Sequence, residues 1–102
     1  MSASRWSEWS GSDGEWDALQ LKTRSMCVYQ TSSWANHRNR FGWTTVRVVH
    51  ESGLCSAQIL CRKILGTTIA WVPGGPSGDL TKIDREFLTS LKKICRTRAI
   101  YL

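Results

Sequence analysis

The chain has 102 residues, of which 41% are hydrophobic and 22% charged, and its formal net charge is +6. This length allows one small domain, and the composition excludes disorder throughout the chain. No apolar run approaches the roughly 18 residues of a membrane-spanning helix, and the segment after Met1 lacks the basic-then-apolar pattern of a signal peptide. The sequence therefore predicts a cytoplasmic protein whose basic charge favours an anionic partner.

The four cysteines show none of the short spacings typical of metal or redox motifs. Cys27, Cys55, Cys61 and Cys95 contain no C-x-x-C pair, so the sequence predicts free thiols and no metal site. Cys55 and Cys61 are six residues apart in a strand-like run, which places them on the same face of one strand. A catalytic thiolate is the alternative, but it needs a partnering base.

The first part of the chain combines a polar leader with a short helical pattern. Residues 1–14 are rich in Ser and Gly without a steady period, which predicts a flexible leader. Docking of Trp6 and Trp9 onto the body of the domain is the alternative. The segment EWDALQL, with Trp16 among its apolar residues and Asp13 as N-cap, predicts a short helix.

A second helix is predicted from about Ser33 to Phe41. The hydroxyl cluster that begins at Thr31 supplies N-cap candidates, and Trp34 and Arg38 follow at helical spacing before Gly42, which suits a helix C-terminus. Two β-branched runs then flank the turn Glu51-Ser52-Gly53 and predict an antiparallel hairpin over 43–65. Strand alternation places Cys55, Ala57, Ile59 and Cys61 on one face, and Ser56, Gln58, Leu60 and Arg62 on the other.

A third strand, TTIAWV, stops at the turn Pro73-Gly74-Gly75-Pro76. Proline fixes the backbone angle φ, and the two glycines permit conformations closed to other residues. The turn therefore sets a rigid direction for the chain as it leaves the strand. From about Leu80 an amphipathic helix is predicted, with Asp79 or Thr81 as its cap, and AIYL opens a last strand. The apolar residues of that helix are Ile83, Phe87, Leu88, Leu91, Ile94 and Cys95.

The order helix, strand, strand, strand, helix, strand predicts an α/β (α+β) fold class, in which an antiparallel strand meander is flanked by helices. The last strand leaves a hydrogen-bonding edge without a partner. We therefore expect the first part of a larger unit, or a sheet that is completed by self-association or by a partner chain.

Four segments resemble the N-terminal part of the FemABX aminoacyltransferases and their relatives in the acetyltransferase-like (GNAT) superfamily. They are VYQTSSWANHRNRFGW, VRVVHESGLCSAQILCRKI, IAWVPGGPSGDL and FLTSLKKICRTRAIYL, and they extend from about Cys27 to the C-terminus. The matching features are Gln30 with Trp34, Gly42-Trp43, the Gln58-Ile59-Leu60 strand with Arg62, Pro73-x-Gly75-Pro76 with Asp79, and the closing Tyr101-Leu102.

The resemblance implies a partial acetyltransferase-like (GNAT) fold over residues 15–102. It implies transfer of an amino acid from aminoacyl-tRNA to a peptidoglycan precursor, either UDP-muramyl pentapeptide or its lipid-linked form, without a further cofactor. Because the family's domain is longer than this chain, the resemblance also implies an incomplete unit that is not active alone. Missing sequence or a partner chain would then complete the aminoacyltransferase or acyltransferase.

The resemblance also places four residues at the precursor, namely Trp34, Arg38, Gly74 and Gly75. Trp34 would stack on a uracil or sugar ring, and the planar fork of Arg38 would bind the precursor phosphates. The two glycines would border the cleft, with backbone amides available to an anionic group. A core tryptophan, a solvated arginine and a stiff turn without a ligand are the corresponding alternatives.

No catalytic residue is predicted. His37 and His50 lack a positioned partner in the sequence and are expected to be surface or satisfied histidines. Asp79 suits helix capping better than acid–base chemistry, and Trp43 is expected in the core. A basic helix face could approach tRNA phosphates or remain solvated; its residues are Lys82, Arg85, Lys92, Lys93, Arg96 and Arg98. The alternative function is a small basic nucleic-acid-binding or partner-completing module without catalysis.

Overall fold

The computed structural model describes residues 5–22, 27–78, 80–83, 85–97 and 99–101. The strands are Trp6–Glu8 (β1), Thr44–His50 (β2), Cys55–Ile64 (β3), Thr67–Trp71 (β4), Ser77–Gly78 (β5) and Ala99–Tyr101 (β6). The α-helices are Asp13–Lys22 (α1), Ser32–Asn39 (α2) and Arg85–Cys95 (α3), and single 3₁₀ turns lie at Val28–Gln30 and Leu80–Lys82. The predicted α+β class is confirmed.

One mixed sheet organises the fold. Its strand order is β1-β2-β3-β4-β6, and β5 pairs with β3 beside this path. The pairs from β1 to β4 are antiparallel, whereas β6 runs parallel to β4. A parallel pair needs a crossover, and α3 supplies it. The predicted hairpin, third strand and last strand are all present in this sheet.

The main hydrophobic core lies between the sheet and α3. Predicted alternation along β3 is confirmed, because Cys55, Ala57, Ile59 and Cys61 all face this core. Helix α3 contributes side chains spaced four residues apart, which places them on one helical face. These are Phe87, Leu91 and Cys95.

Helix α3 begins later than the sequence predicts. The apolar period suggests a start near Leu80, but a 3₁₀ turn occupies Leu80–Lys82 and the helix begins at Arg85. Of the two predicted caps, Asp79 lies outside the described residues, and Thr81 lies within the 3₁₀ turn and not at the start of the helix.

The opposite face of the sheet is covered by α1 and α2. Trp16 of α1 is fully buried there, and its indole Nε1 donates to the carbonyl oxygen of Gln30 at 2.8 Å. The side chain of Gln20 donates to Ser56 Oγ at 3.0 Å. The two helices are joined because the carboxylate of Asp17 accepts hydrogen bonds from the backbone and hydroxyl of Ser32.

Helix α1 is capped by Ser12 and not by the predicted Asp13. Glu15 N donates to Ser12 Oγ, and Ser12 N donates to Glu15 Oε1, both at 3.1 Å. This reciprocal arrangement is a capping box, whose signature is a hydroxyl residue followed three positions later by an acid. Asp13 is therefore the first helical residue. Thr31 caps α2 as predicted, because its Oγ1 accepts from Trp34 N at 3.3 Å.

Part of the segment that the sequence predicts as a flexible leader is structured. Trp6–Glu8 forms β1 at the edge of the sheet, and Trp6 is only 3% exposed. Its ring contacts Phe87 at a centroid distance of 4.6 Å, while Trp9 packs on Trp16 at 5.2 Å. Burial of the Trp6 ring and packing of the half-buried Trp9 on Trp16 outweigh the flexible composition around them.

Within the described ranges, no helix combines the length and apolar character that crossing a membrane requires.

Candidate ligand-binding cavity

A cavity of about 440 Å³ opens where the start of α2 faces the end of β4. A volume of this size lies within the usual range for small-molecule sites. Aromatic rings and the turn after β4 form most of its wall. The lining residues are Tyr29, Trp34, Arg38, Trp71, Pro73 and Gly74.

Two sequence features bring the lining side chains together. Trp34 and Arg38 are four residues apart on α2, so both project from the same helical face. Trp71 ends β4 opposite Leu60 of β3, which directs it toward the face that α1 and α2 cover. The chain then turns at Pro73, and the turn forms the remaining wall.

The guanidinium of Arg38 lies among aromatic rings. Its Cζ atom is 5.8 Å from the ring centroids of Trp34 and Trp43, and 5.9 Å from those of Phe41 and Trp71. Trp43 and Trp71 are themselves 5.9 Å apart. Cation–π attraction at these distances favours the charged side chain beside the rings. Arg38 is therefore held at the cavity wall and is not a freely solvated residue.

Three buried donors around Arg38 lack a hydrogen-bond acceptor among the described residues. They are Nε1 of Trp34, Nε of Arg38 and Nε1 of Trp43. A buried donor without an acceptor costs about 1–3 kcal/mol. Trp34 and Arg38 line the cavity, so an acceptor group of a ligand, such as a phosphate or a carbonyl oxygen, would recover part of this cost at those two residues.

The wall at Pro73 is fixed by the buried side chain of Gln30. Strand β3 pairs with β5 at Cys55–Ser56 and with β4 from Leu60 onward, which leaves a gap between the two strands. Gln30 fills it: its Oε1 accepts from Gln58 N at 2.7 Å, and its Nε2 donates to Gln58 O at 3.1 Å. The same Nε2 donates to Pro73 O at 2.8 Å. The glutamine thus ties the turn to the sheet.

The two glycines of the turn have different surroundings. Gly74 lines the cavity with a φ of +65°, and a Cβ atom there would lie 2.2 Å from Cys27 Sγ. Gly75 is not among the lining residues. A Cβ atom at Gly75 would lie 2.7 Å from Cδ of Gln30, so the glycine allows the buried amide to approach the turn. The turn therefore leaves room for the side chain of Gln30, which in turn hydrogen-bonds it at Pro73.

Three of the four predicted precursor-binding residues meet in the cavity, namely Trp34, Arg38 and Gly74. The sequence did not single out Tyr29 or Trp71 as site residues, although both line it. The sequence does contain a feature that could have pointed to Trp71 as a site residue, because Trp71 is the last residue of the strand that leads into the Pro-Gly turn. Gln30 belongs to the predicted features only through the resemblance. Its role in joining the turn to the sheet depends on a gap in strand pairing that the sequence does not reveal.

The other predicted functional residues lie elsewhere. His50 is buried at the hairpin turn, where its Nδ1 is 2.8 Å from Ser52 Oγ, so it is a satisfied histidine. His37 is exposed, and its ring centroid is 5.6 Å from that of Trp34. Predicted as core, Trp43 is half-buried and packs behind Arg38. The basic residues Arg85, Lys92, Lys93 and Arg96 are exposed at α3, across the sheet from the cavity; Arg98 lies outside the described residues.

The chemistry of the cavity is that of binding. Its lining offers one cation and several aromatic faces but no carboxylate. Such a set suits a ligand that joins a flat ring to an anionic group. Across the described part of the chain, no group of three or more His, Cys, Asp or Glu side chains could hold a metal ion.

No protein-family model, curated protein or solved structure matches this chain.

Proposed function

We propose that this chain forms the acceptor-binding part of a FemABX-like aminoacyltransferase and holds a peptidoglycan precursor through its nucleotide diphosphate. The observation that carries the proposal is the position of Arg38, a cation fixed between aromatic rings at the wall of a cavity of about 440 Å³. Trp34 offers a face for the uracil ring, and Arg38 offers a planar fork to the phosphates.

The fold supports the proposal at the level of its general architecture. The described sheet contains an antiparallel meander of β2, β3 and β4, with β1 paired at one edge, helices on both faces and a crossover through α3 into β6. A meander flanked by helices is the arrangement that the acetyltransferase-like (GNAT) resemblance implies. In this proposal the turn at Pro73 borders the precursor, and Gln30 keeps that border in place.

Net charge supports the same ligand class. A charge of +6 favours association with anions, and a UDP-linked precursor carries negative charge on the diphosphate that Arg38 would bind and on the carboxylates of its peptide stem. The amine of the precursor's peptide stem would then accept the aminoacyl group from aminoacyl-tRNA. The chain's role in this scheme is to bind and orient the acceptor.

RNA binding is the second candidate, favoured by the exposed basic residues of α3. Sheet-based RNA modules present aromatic residues on an open sheet face, whereas both faces of this sheet are covered by helices. That covering makes the precursor the better-supported ligand.

A thermal-shift titration separates the two candidates. We expect UDP-muramyl pentapeptide to raise the unfolding midpoint saturably in the wild type and to lose this effect in Arg38→Ala. An unrelated RNA hairpin serves as the comparison ligand. A salt-sensitive shift with RNA and none with the precursor would overturn the proposal.

A further inference from the structure

A second cavity of about 460 Å³ lies at the opposite face of the sheet, where the end of α3 meets β3. It shares no lining residue with the cavity at Arg38. Two cysteine side chains form part of its wall, Cys61 from β3 and Cys95 from the last turn of α3. Cys61 is 6% exposed and Cys95 is 8% exposed, so both thiols are sheltered but border an open cavity.

The two thiols are joined by a side-chain hydrogen bond. The hydrogen bond lowers the pKa of the Cys61 thiol, and together with burial it raises the pKa of the Cys95 thiol. We therefore expect ionisation of the pair to begin at Cys61.

Charged side chains of both signs lie near the pair. Lys63 and Arg96 line the same cavity with exposed side chains, whereas the guanidinium of Arg62, which also lines it, lies 5.8 Å from the ring centroid of Trp43. The carboxylate of Glu8 acts in the opposite sense and raises the pKa of the Cys95 thiol further. Nearby cations favour a thiolate, and the thiolate is the form that reacts with oxidants.

We propose that Cys61 and Cys95 form a reversible dithiol site that a peroxide oxidises to a disulfide linking β3 to α3. The Cys61 thiolate attacks one peroxide oxygen, the O–O bond breaks, and the released hydroxide takes up a proton to become water. Cys61 is then a sulfenic acid. The sulfur of Cys95 attacks the sulfur of Cys61, its thiol proton leaves with the sulfenic hydroxyl as a second water, and the S–S bond forms. The two thiols supply the two electrons that reduce the peroxide.

The remaining cysteines provide internal controls. Cys27 is only half-buried and lies beside the turn at Gly74, whereas Cys55 is fully buried in the core. If exposure alone governed oxidation, Cys27 would react first. The dithiol proposal predicts instead that Cys61 and Cys95 are lost together while Cys27 remains a thiol.

Peptide mapping of the wild-type chain tests the proposal without depending on a variant that folds. The protein is treated with equimolar hydrogen peroxide, its remaining thiols are alkylated, and a non-reducing digest is analysed by mass spectrometry. We expect two of the four thiols to be lost, a Cys61–Cys95 cross-linked peptide, and full recovery of alkylation after dithiothreitol. Earlier loss of Cys27, or a sulfinic acid at Cys61 with Cys95 still alkylated, would overturn the proposal.

Two variants extend the test. Cys27→Ser should leave the cross-link intact, whereas Cys95→Ser should let a sulfenic acid accumulate at Cys61, detectable with dimedone. Oxidised wild type should also unfold at a higher temperature than reduced wild type, because the disulfide restricts the unfolded chain. Cross-linking that persists in Cys95→Ser through Cys27 or Cys55 would contradict the assignment of the pair.

Discussion

The side chain of Gln30 hydrogen-bonds both backbone groups of Gln58, accepting from its N–H at 2.7 Å and donating to its carbonyl oxygen at 3.1 Å. A residue of a neighbouring strand makes the same pair of bonds to an antiparallel partner. Gln30 therefore continues the sheet across the gap between β4 and β5. Since it also donates to Pro73, the sheet and the cavity wall depend on one buried amide.

Replacing Gln30 with methionine should destabilise the fold substantially. Methionine keeps the volume but removes the amide, leaving backbone groups of Gln58 and Pro73 buried without their partner. We expect the free energy of unfolding to fall by about 3 kcal/mol, measured by urea denaturation. The exposed Ser33→Ala serves as control and should change it by less than about 0.5 kcal/mol. Equal effects in the two variants would show that Gln30 does not support the sheet.

Two glycine-to-alanine substitutions should differ clearly in their effect on stability. Gly75→Ala would place a Cβ atom 2.7 Å from the amide of Gln30, so we expect a loss of about 1–3 kcal/mol in stability. Gly14→Ala meets only Ser12 Oγ at 4.0 Å and lies in the first turn of α1, where alanine favours the helix. It should be neutral or slightly stabilising. A Gly75→Ala chain that unfolds at the same urea concentration as wild type would contradict the close approach.

The capping box at α1 should make stability depend on pH. The hydrogen bonds from Ser12 hold the pKa of Glu15 below its ordinary value of 4.5. Because the folded pKa is lowered, the stabilisation is complete above the ordinary value and is lost as the pH falls through the folded one. Glu15→Gln keeps a capping side chain but cannot titrate, so its stability should fall less on acidification.

The check is a series of urea denaturations from neutral pH to below 4.5, comparing wild type with Glu15→Gln. Asp13 titrates in both proteins, and its pKa is lowered chiefly by the hydrogen bond from Arg47, so some pH dependence should remain in the variant. Identical slopes for the two proteins would mean that the Glu15 carboxylate contributes nothing to the cap.

Elements in which a regular hydrophobic period continues over many residues could be predicted from the sequence. The alternation through Cys55–Cys61 and the spacing of Phe87, Leu91 and Cys95 correctly assigned a strand and a helix with their buried faces. Such periods reflect one-sided burial, which local sequence records directly. The predicted cap at Thr31 also proved correct, because its chemistry is local.

Elements that depend on distant partners could not be predicted in the same way. Strand β1 has three residues and β5 has two, and each exists through pairing with a longer strand. The sequence placed Trp34 and Arg38 on one helical face, but their meeting with Trp71 depends on how α2 packs across the sheet. The hydrogen bonds of Gln30 to Gln58 and Pro73 also join residues that are far apart in the sequence, so they could not be predicted from it.

The most direct test of the central claim is a tryptophan-fluorescence titration with UDP-muramyl pentapeptide, because Trp34 and Trp71 line the cavity. We expect a saturable change in the wild type and in Arg40→Ala, an exposed arginine just beyond α2. Arg38→Ala removes the same charge and should weaken binding by about tenfold or more, since it deletes the proposed phosphate contact. Equal weakening in the two variants, or no saturable change in the wild type, would contradict a precursor site at Arg38.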